Sequence, residues 1–459
     1  MTTNLIHPAA QPPALPYSKF AYGRKPPKMR GADVRGICSV RVQDLFSDIP
    51  DPIHQAGEDI SPVRSAAREA LAGVDMSMIK PGDSVHVLCS EHGFGMMGGE
   101  AYAELLRTVH DEVVARTGTD RVKLALSSAS STFEQHEIIP RFGLDDYFDG
   151  RVFAFGPSEP GIAIDTEIGT LYGIRKAYAA KWLIHVHYDD PREIHFHHMN
   201  GRLLKSFTMS YARMETRSIF HNNFPTRSAN IVPRAIYESP YIRERFAFSA
   251  VLSTSPSGTM GIGADNDLIA LDRRITAEML RRYGKMVQLF STIDSCFTVA
   301  DDTRWLPYQH AGGLTACTLY ENAFDHLDLD LAPHPPAHPH PKKLFAGGPV
   351  KAMVLNYAWK MGGACGITVT ADDAVAADFS RVHPDNDLHV ASSLADAVDM
   401  AADLAGTDHG LVFDGCYGSI NMTEPMARAL IERAPEVSDD VDRVHLPKWL
   451  RQRGLEAVA

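Results

Sequence analysis

Apolar residues in this chain gather in short runs bounded by turn residues, with stretches of helical spacing between them. Lys80-Pro81-Gly82-Asp83 is a turn signal, and the run Ser84-Val85-His86-Val87-Leu88-Cys89-Ser90 after it predicts a buried strand. A glycine-rich stretch follows from Gly93 to Gly99, and then Tyr102, Leu105, Leu106, Val109 and Val113 recur as one face of a helix. The pattern repeats. Strands are predicted at 121–129, 151–156 and 181–188, a short helix at 133–142, and a helical stretch at 169–180. A long helical pattern covers 264–290, and the glycines from Gly258 to Gly263 read as the loop ahead of it. Further strands are predicted at 352–357, 366–370, 388–391 and 410–413, with helices at 394–404 and 424–434.

Strands alternating with helices call for parallel sheets covered by helices. The predicted fold class is α/β, with two α/β domains of mainly parallel sheet facing across a cleft. Residues 1–30, rich in Pro, Ala and Lys, read as an extended arm. The first domain is expected at 31–268 and the second at 269–435, with 436–459 packing back on the first. The Pro/His segment 332–341 reads as a semi-rigid spacer or surface loop.

Composition narrows the classes. At 459 residues and 44% hydrophobic, the chain buries a large core without metal or disulfide staples. A formal charge of −12 argues against a nucleic-acid partner. It leaves room for a small anionic substrate, because a few local Arg or Lys residues outweigh a distant negative surface. The six cysteines form no C-x-x-C pair and read as reduced thiols, so a cytoplasmic location is expected. No charged-then-apolar leader opens the chain, and no run of about 18 apolar residues occurs. Neither secretion nor membrane insertion is expected.

What stands out is histidine, at 21 residues. His185, His187, His195, His197, His198 and His221 fall within 37 positions, beside Asp189, Asp190 and Lys205. In extended backbone His185 and His187 share a face, as do His195 and His197. Imidazoles ligate metals and move protons near neutral pH, so both chemistries are open.

Spacing adds a second clue. Lys205 lies ten positions after His195, and His221 lies sixteen after Lys205. With Gly201-Arg202-Leu203-Leu204-Lys205 as a turn before the lysine, the segment resembles the nickel-dependent lactate racemase family. That family carries an Asp-His-Thr-Arg strand end, and here the strand 84–90 runs into Glu91-His92-Gly93-Phe94, which keeps an acid and the His but lacks the Arg. The position of the family's other catalytic His falls at Ser130. Ala346-Gly347-Gly348-Pro349 and Lys360 are fainter echoes in the second domain.

The resemblance implies a nickel-pincer nucleotide, tethered by Lys205 and ligated through nickel by His221. Sulfur donors with an imidazole suit square-planar nickel. It implies His195 as the base that takes the hydroxyl proton of a 2-hydroxy acid while hydride passes to the cofactor. A flat keto intermediate then receives the hydride on its other face. The cofactor carries that chemistry and the protein positions it. Enzymes that build the pincer cofactor become expected partners.

Inversion needs a second proton acceptor. With Ser130 at the usual position, His92 ranks first, at a strand end where α/β sheets place ligands, and His136 second, ahead of His197 and His198. Glu91, Gly93 and Gly95 are expected beside the cofactor, the glycine loop cradling its phosphate with backbone N–H groups. The lost Arg moves the carboxylate grip to Arg202, Arg213 or Arg217 and points away from lactate toward a larger, sugar-like acid. Two rival readings remain. One is a zinc or iron hydrolase using His185/His187 or His195/His197 with Asp189 or Asp190. The other is a non-catalytic relative that binds cofactor or ligand.

Overall fold

The computed structural model describes residues 5–12, 27–94, 98–128, 133–189, 202–223, 230–301, 327–330, 348–356 and 367–456. Among them the strands are, in chain order, β1 His7–Pro8, β2 Ile37–Arg41, β3 Val85–Ser90, β4 Val122–Ser127, β5 Val152–Phe155, β6 Gly161–Thr166, β7 Gly169–Ile174 and β8 Trp182–Tyr188. They continue with β9 Phe246–Ser255, β10 Gly258–Asp265, β11 Cys296–Ala300, β12 Val350–Leu355, β13 Ile367–Thr370, β14 Asp387–Val390, β15 Gly410–Phe413 and β16 Ser419–Thr423. The helices used below are α1 Gly99–Thr117, α2 Phe133–Arg141, α3 Met214–Asn223, α4 Leu268–Ser291, α5 Leu394–Ala405 and α6 Glu424–Asp440.

The chain divides into two compact units. The first holds 52–254, 259–279 and 453–459, and the second holds 1–51, 255–258 and 280–452. The division passes through α4, between Met279 and Leu280. Both units are α/β with mainly parallel sheets, as the strand and helix alternation predicts.

In the first unit the sheet order is β10-β9-β8-β3-β4-β5. β3 runs parallel to β4 and β8, β4 to β5, and β8 to β9. The turn before β3 forms as expected, with Gly82 at φ +81° and the Asp83 amide donating to the Lys80 carbonyl at 3.0 Å. Val85 to Cys89 are all buried, the mark of a strand covered on both faces. α1 ends where Gly118 takes φ +71° and its amide bonds the Val114 carbonyl. Leu88, Ile164, Leu183, Phe207, Tyr211 and Tyr237 belong to the core of this unit.

In the second unit the order is β1-β2-β16-β15-β11-β12-β13-β14, parallel from β15 to β14 and antiparallel from β15 to β1. α5 is capped by Ser393, whose hydroxyl accepts from the Asp396 amide, and it ends at Gly406 with φ +65°. Val299, Val354, Val369, Ala397 and Val412 form part of its core.

Several expectations need correction. Residues 169–180 begin as a strand, with β6 and β7 forming an antiparallel hairpin through Thr166–Gly169. Thr166 Oγ1 donates to the Gly169 carbonyl at 2.6 Å and Gly169 sits at φ +110°, so local turn chemistry overrides the helical spacing. Gly258–Gly263 lies in β10, not in a loop. β9 and β11, buried throughout, are apolar runs interleaved with Ser, Thr and Cys that hide their strand character. Residues 31–51, expected in the first domain, belong to the second unit because β2 pairs along its length with β16. Residues 436–452 also belong to the second unit, and 453–459 to the first. Within the predicted arm, β1 pairs with β2. The Pro/His segment 332–341 and Lys360 lie outside the described residues.

Candidate functional site

The strand order of the first unit reverses once. From β3 the chain steps outward through β4 and β5, and then β8 and β9 take the other side of β3. The carboxyl ends of β3 and β8 therefore mark the point where the strand order reverses, the usual ligand position in an open α/β sheet. Chemistry-bearing residues emerge there. β3 runs into the 3₁₀ turn Glu91–Phe94, and β8 carries His185 and His187 and ends in Tyr188 and Asp189.

His185 is fully buried, and its Nδ1 lies 3.0 Å from the Ser249 hydroxyl on β9. Burial lowers its pKa to about 3, so the ring is neutral at physiological pH. The His187 ring centroid lies 5.2 Å from that of His185, and its Nδ1 is 3.3 Å from Ser206 Oγ. His187 keeps some accessible surface, yet its Nε2 is closed from solvent. Burial pushes its pKa well down, with the charges of His185, Arg202, Lys205 and His92 acting the same way. Nε2 of both histidines is buried with no hydrogen-bond partner.

Arg202 is 2% exposed, and its Nη1 donates to Asp189 Oδ1 at 2.6 Å. Its Nε and Nη2 are buried without partners. Asp272, on α4, accepts from the Leu203 amide at 2.8 Å. Burial raises the Asp272 pKa to about 7, against the pull of that amide and of Arg202. Lys205 lies half-buried on the 3₁₀ turn Leu204–Phe207. Phe207 anchors that turn, its ring packed edge-on to Tyr211 and beside Tyr237.

α3 follows and carries His221. The ring keeps much of its surface open, but the atoms crowding it still lower its pKa, and Lys205 and Arg217 add to the shift. Its Nδ1 is 2.8 Å from the Arg217 carbonyl, which only accepts, so Nδ1 holds the proton and Nε2 is the acceptor nitrogen. Arg217 is buried, which drops its pKa to about 10, while the charge of Glu91 pulls it back up.

Of the residues expected at the site, His92 and Lys205 act electrostatically on His187, Glu91 acts on Arg217, and Lys205 acts on His221. Gly93 abuts the Tyr102 ring, since a Cβ there would fall 2.2 Å from Tyr102 Cε1, and Tyr102 donates to the Val186 carbonyl at 2.7 Å. The visible reason for glycine at 93 is thus close packing rather than a phosphate cradle. His136 is exposed on α2, and no described interaction joins it to the others. His195, His197, His198, Ser130 and Gly95 lie outside the described residues.

For the hydrolase set, Asp189 Oδ1 accepts from Arg202 Nη1. Among the described residues no three His, Cys, Asp or Glu side chains form a metal-holding group. Sequence reasoning passed over Ser206, Ser249 and Asp272. Ser206 lies in the turn Leu204–Phe207 and Ser249 inside β9, neither within a motif, and Asp272 lies inside a long helical pattern where an acid reads as surface.

No protein-family model matches the chain, and no curated protein sequence matches it. Among solved structures, the lactate racemase apoprotein from Thermoanaerobacterium thermosaccharolyticum is similar at a TM-score of 0.39 and 11% identity, over 77% of this chain and 91% of that one. A likeness at this level assigns neither family nor site. No helix among the described residues is long and apolar enough to cross a membrane.

Proposed function

We propose that the chain is a racemase or epimerase of a 2-hydroxy acid, possessing a site for a nickel-pincer nucleotide. The observation that carries this reading is the electrostatic coupling of His92 and Lys205 to His187, and of Lys205 to His221, by the point where the sheet order reverses. Lys205 and His221 are the residues that the spacing marks as tether and nickel ligand, and each lies in the other's electrostatic field.

The residues fit the group. His221 donates a hydrogen bond from Nδ1 to a backbone carbonyl, so the lone pair a metal would take is on Nε2. Metal-bound histidines are oriented in this way. Lys205 is fixed by its turn, whose Thr208 amide donates to the Lys205 carbonyl at 3.0 Å. When bound, the nucleotide would supply the acceptance and return of hydride.

The rest falls to the chain. His92 serves as the base on one face of the substrate carbon, and His195 serves on the other by its spacing from Lys205. His187, held neutral by burial, takes no like charge into the site ahead of the proton. A sugar acid is the preferred substrate, because the family's strand-end Arg is replaced and polar side chains crowd these segments.

The test is isotopic. Protein made alongside the pincer-building enzymes is given aldonates, uronates and short 2-hydroxy acids deuterated at the hydroxyl-bearing carbon next to the carboxylate. Inversion with the deuterium kept in the product is the expected result. Inversion with the label washed out would contradict hydride transfer, and turnover of lactate alone would contradict the sugar-acid preference.

A further inference from the structure

We propose that Arg202 is the carboxylate grip of this site. A guanidinium presents two N–H pairs, and the side-on pair, Nε–H with Nη2–H, meets both oxygens of one carboxylate in parallel. Arg202 spends Nη1 on Asp189 Oδ1 at 2.6 Å and leaves Nε and Nη2, the side-on pair, buried and unpartnered. Its residual exposure is 2%. Buried charged donors without acceptors are costly and rare, so a retained pair asks for an acceptor that arrives from outside.

The other candidate arginines do not offer that edge. Arg217 uses Nε on the Met209 carbonyl, and Arg213 turns Nη2 to Glu215 at 3.1 Å. Only Arg202 of the three keeps both atoms of the pair clear and lies in the field of His187. His187 Nε2 is also buried and unpartnered, and the Arg202 charge acts on that imidazole. A 2-hydroxy acid carries carboxylate and hydroxyl on adjacent carbons and offers one to the fork and the other to an imidazole. Asp189 acts as the positioning residue that turns the fork.

The surroundings select charge as well as shape. Asp189 and Asp272 lie in the field of Arg202. Two nearby carboxyl groups oppose a dianion on the fork about twice as strongly as a monoanion. The ligand class is therefore a carboxylate rather than a phosphate.

The hydroxyl half of this assignment rests on the function proposed above, whereas the grip is tested without nickel. The full chain, made without the pincer-building enzymes, is titrated calorimetrically with glycolate, lactate, gluconate, lactamide and inorganic phosphate. At least one acid is expected to bind, with lactamide at least tenfold weaker than lactate or without measurable heat. Arg202→Lys keeps a cation for Asp189 but has no fork, and it should weaken the acids at least tenfold with an unchanged circular dichroism spectrum. If it does not fold, the double variant Arg202→Gln/Asp189→Asn removes both charges and should show the same loss.

No binding of any acid, equal binding of lactamide, phosphate tighter than every acid, or unchanged acid binding in the variants would overturn the assignment. Acid binding lost with Arg202 in a protein that never acquires nickel would sink the racemase reading and leave the grip standing. A nickel adduct with undiminished acid binding in Arg202→Lys would do the reverse.

Discussion

Each unit has a parallel sheet whose order reverses once, at β3/β8 in the first and at β11/β15 in the second. The same topology marks the usual ligand position outside the strand ends in both. The two positions are finished differently. In the second unit, Asp301 follows β11 and Asp414 follows β15. Asp301 accepts from Arg30 Nε at 3.0 Å, from the Gly31 amide at 2.6 Å and from Asn356 Nδ2 at 2.6 Å. Arg30 Nη2 also donates to the carbonyls of Asp301 and Asp414, at 2.9 and 3.0 Å. Asp414 is met by the Cys416 amide and Asn421 Nδ2. Every carboxylate oxygen is answered from within the chain. In the first unit, Arg202 and two histidines keep buried atoms unanswered. Topology marks where a ligand would sit, and the two units differ in how the described charged groups at that point are satisfied.

Breaking the Asp301 cluster of the second unit should have the largest effect. Arg30→Ala leaves Asp301, whose side chain has no exposure, without its cation. At pH 8, above the Asp301 pKa of about 6, denaturant unfolding should show a loss of roughly 3–5 kcal/mol. Calorimetry should show acid binding at Arg202 unaltered. A loss of binding with stability intact would reverse the comparison.

Gly93→Ala comes next. Its Cβ would overlap the Tyr102 ring, which is buried and tied to the Val186 carbonyl, so the ring has little room to yield. Overpacking of this kind costs about 1–3 kcal/mol, read from the same unfolding curves.

Smaller differences come from pH. The native state keeps His185 neutral down to about pH 3, whereas the unfolded chain takes up that proton near the usual histidine value. Its contribution to stability is therefore lost as pH falls between those values. Asp272 works the other way. The native state holds its proton up to about pH 7 and the unfolded chain releases it near the usual aspartate value, so stability is lost as pH rises across that window. Asp272→Asn should thus gain in Tm over the parent, with the gain growing from pH 5 to pH 8. A gain that shrinks with pH would contradict the assignment of a raised pKa.

His221→Ala should have the smallest effect on folding, within about 0.5 kcal/mol by thermal melting, because the side chain is exposed. A large loss would make His221 a structural residue rather than a ligand held in reserve.

Much of this was legible in the chain. The buried strand 84–90 and the long helical pattern announced their elements, and the helix–strand alternation announced parallel sheets. The candidate residues that local spacing singles out, Glu91-His92 after a strand and Lys205 and His221, could be named from the chain alone. Contacts between distant segments could not. Asp272 reaches Arg202 only after α4 folds back on the sheet, and Ser249 meets His185 only through the β8/β9 pairing. β2 carries no mark that its partner is β16, because a pairing across most of the chain is set by the sheet edge left open, not by nearby residues. The arginine that holds the fork was one of three equal candidates until the unpartnered atoms told them apart.

The central claim is that Lys205 and His221 hold a nickel-bearing group in the first unit. Intact mass and nickel content, measured on the parent and on Lys205→Ala after co-expression with the pincer-building enzymes, test it most directly. The account predicts an added mass and nickel in the parent, both absent from Lys205→Ala. An unmodified parent containing zinc and no nickel, or an adduct that survives Lys205→Ala, would contradict it.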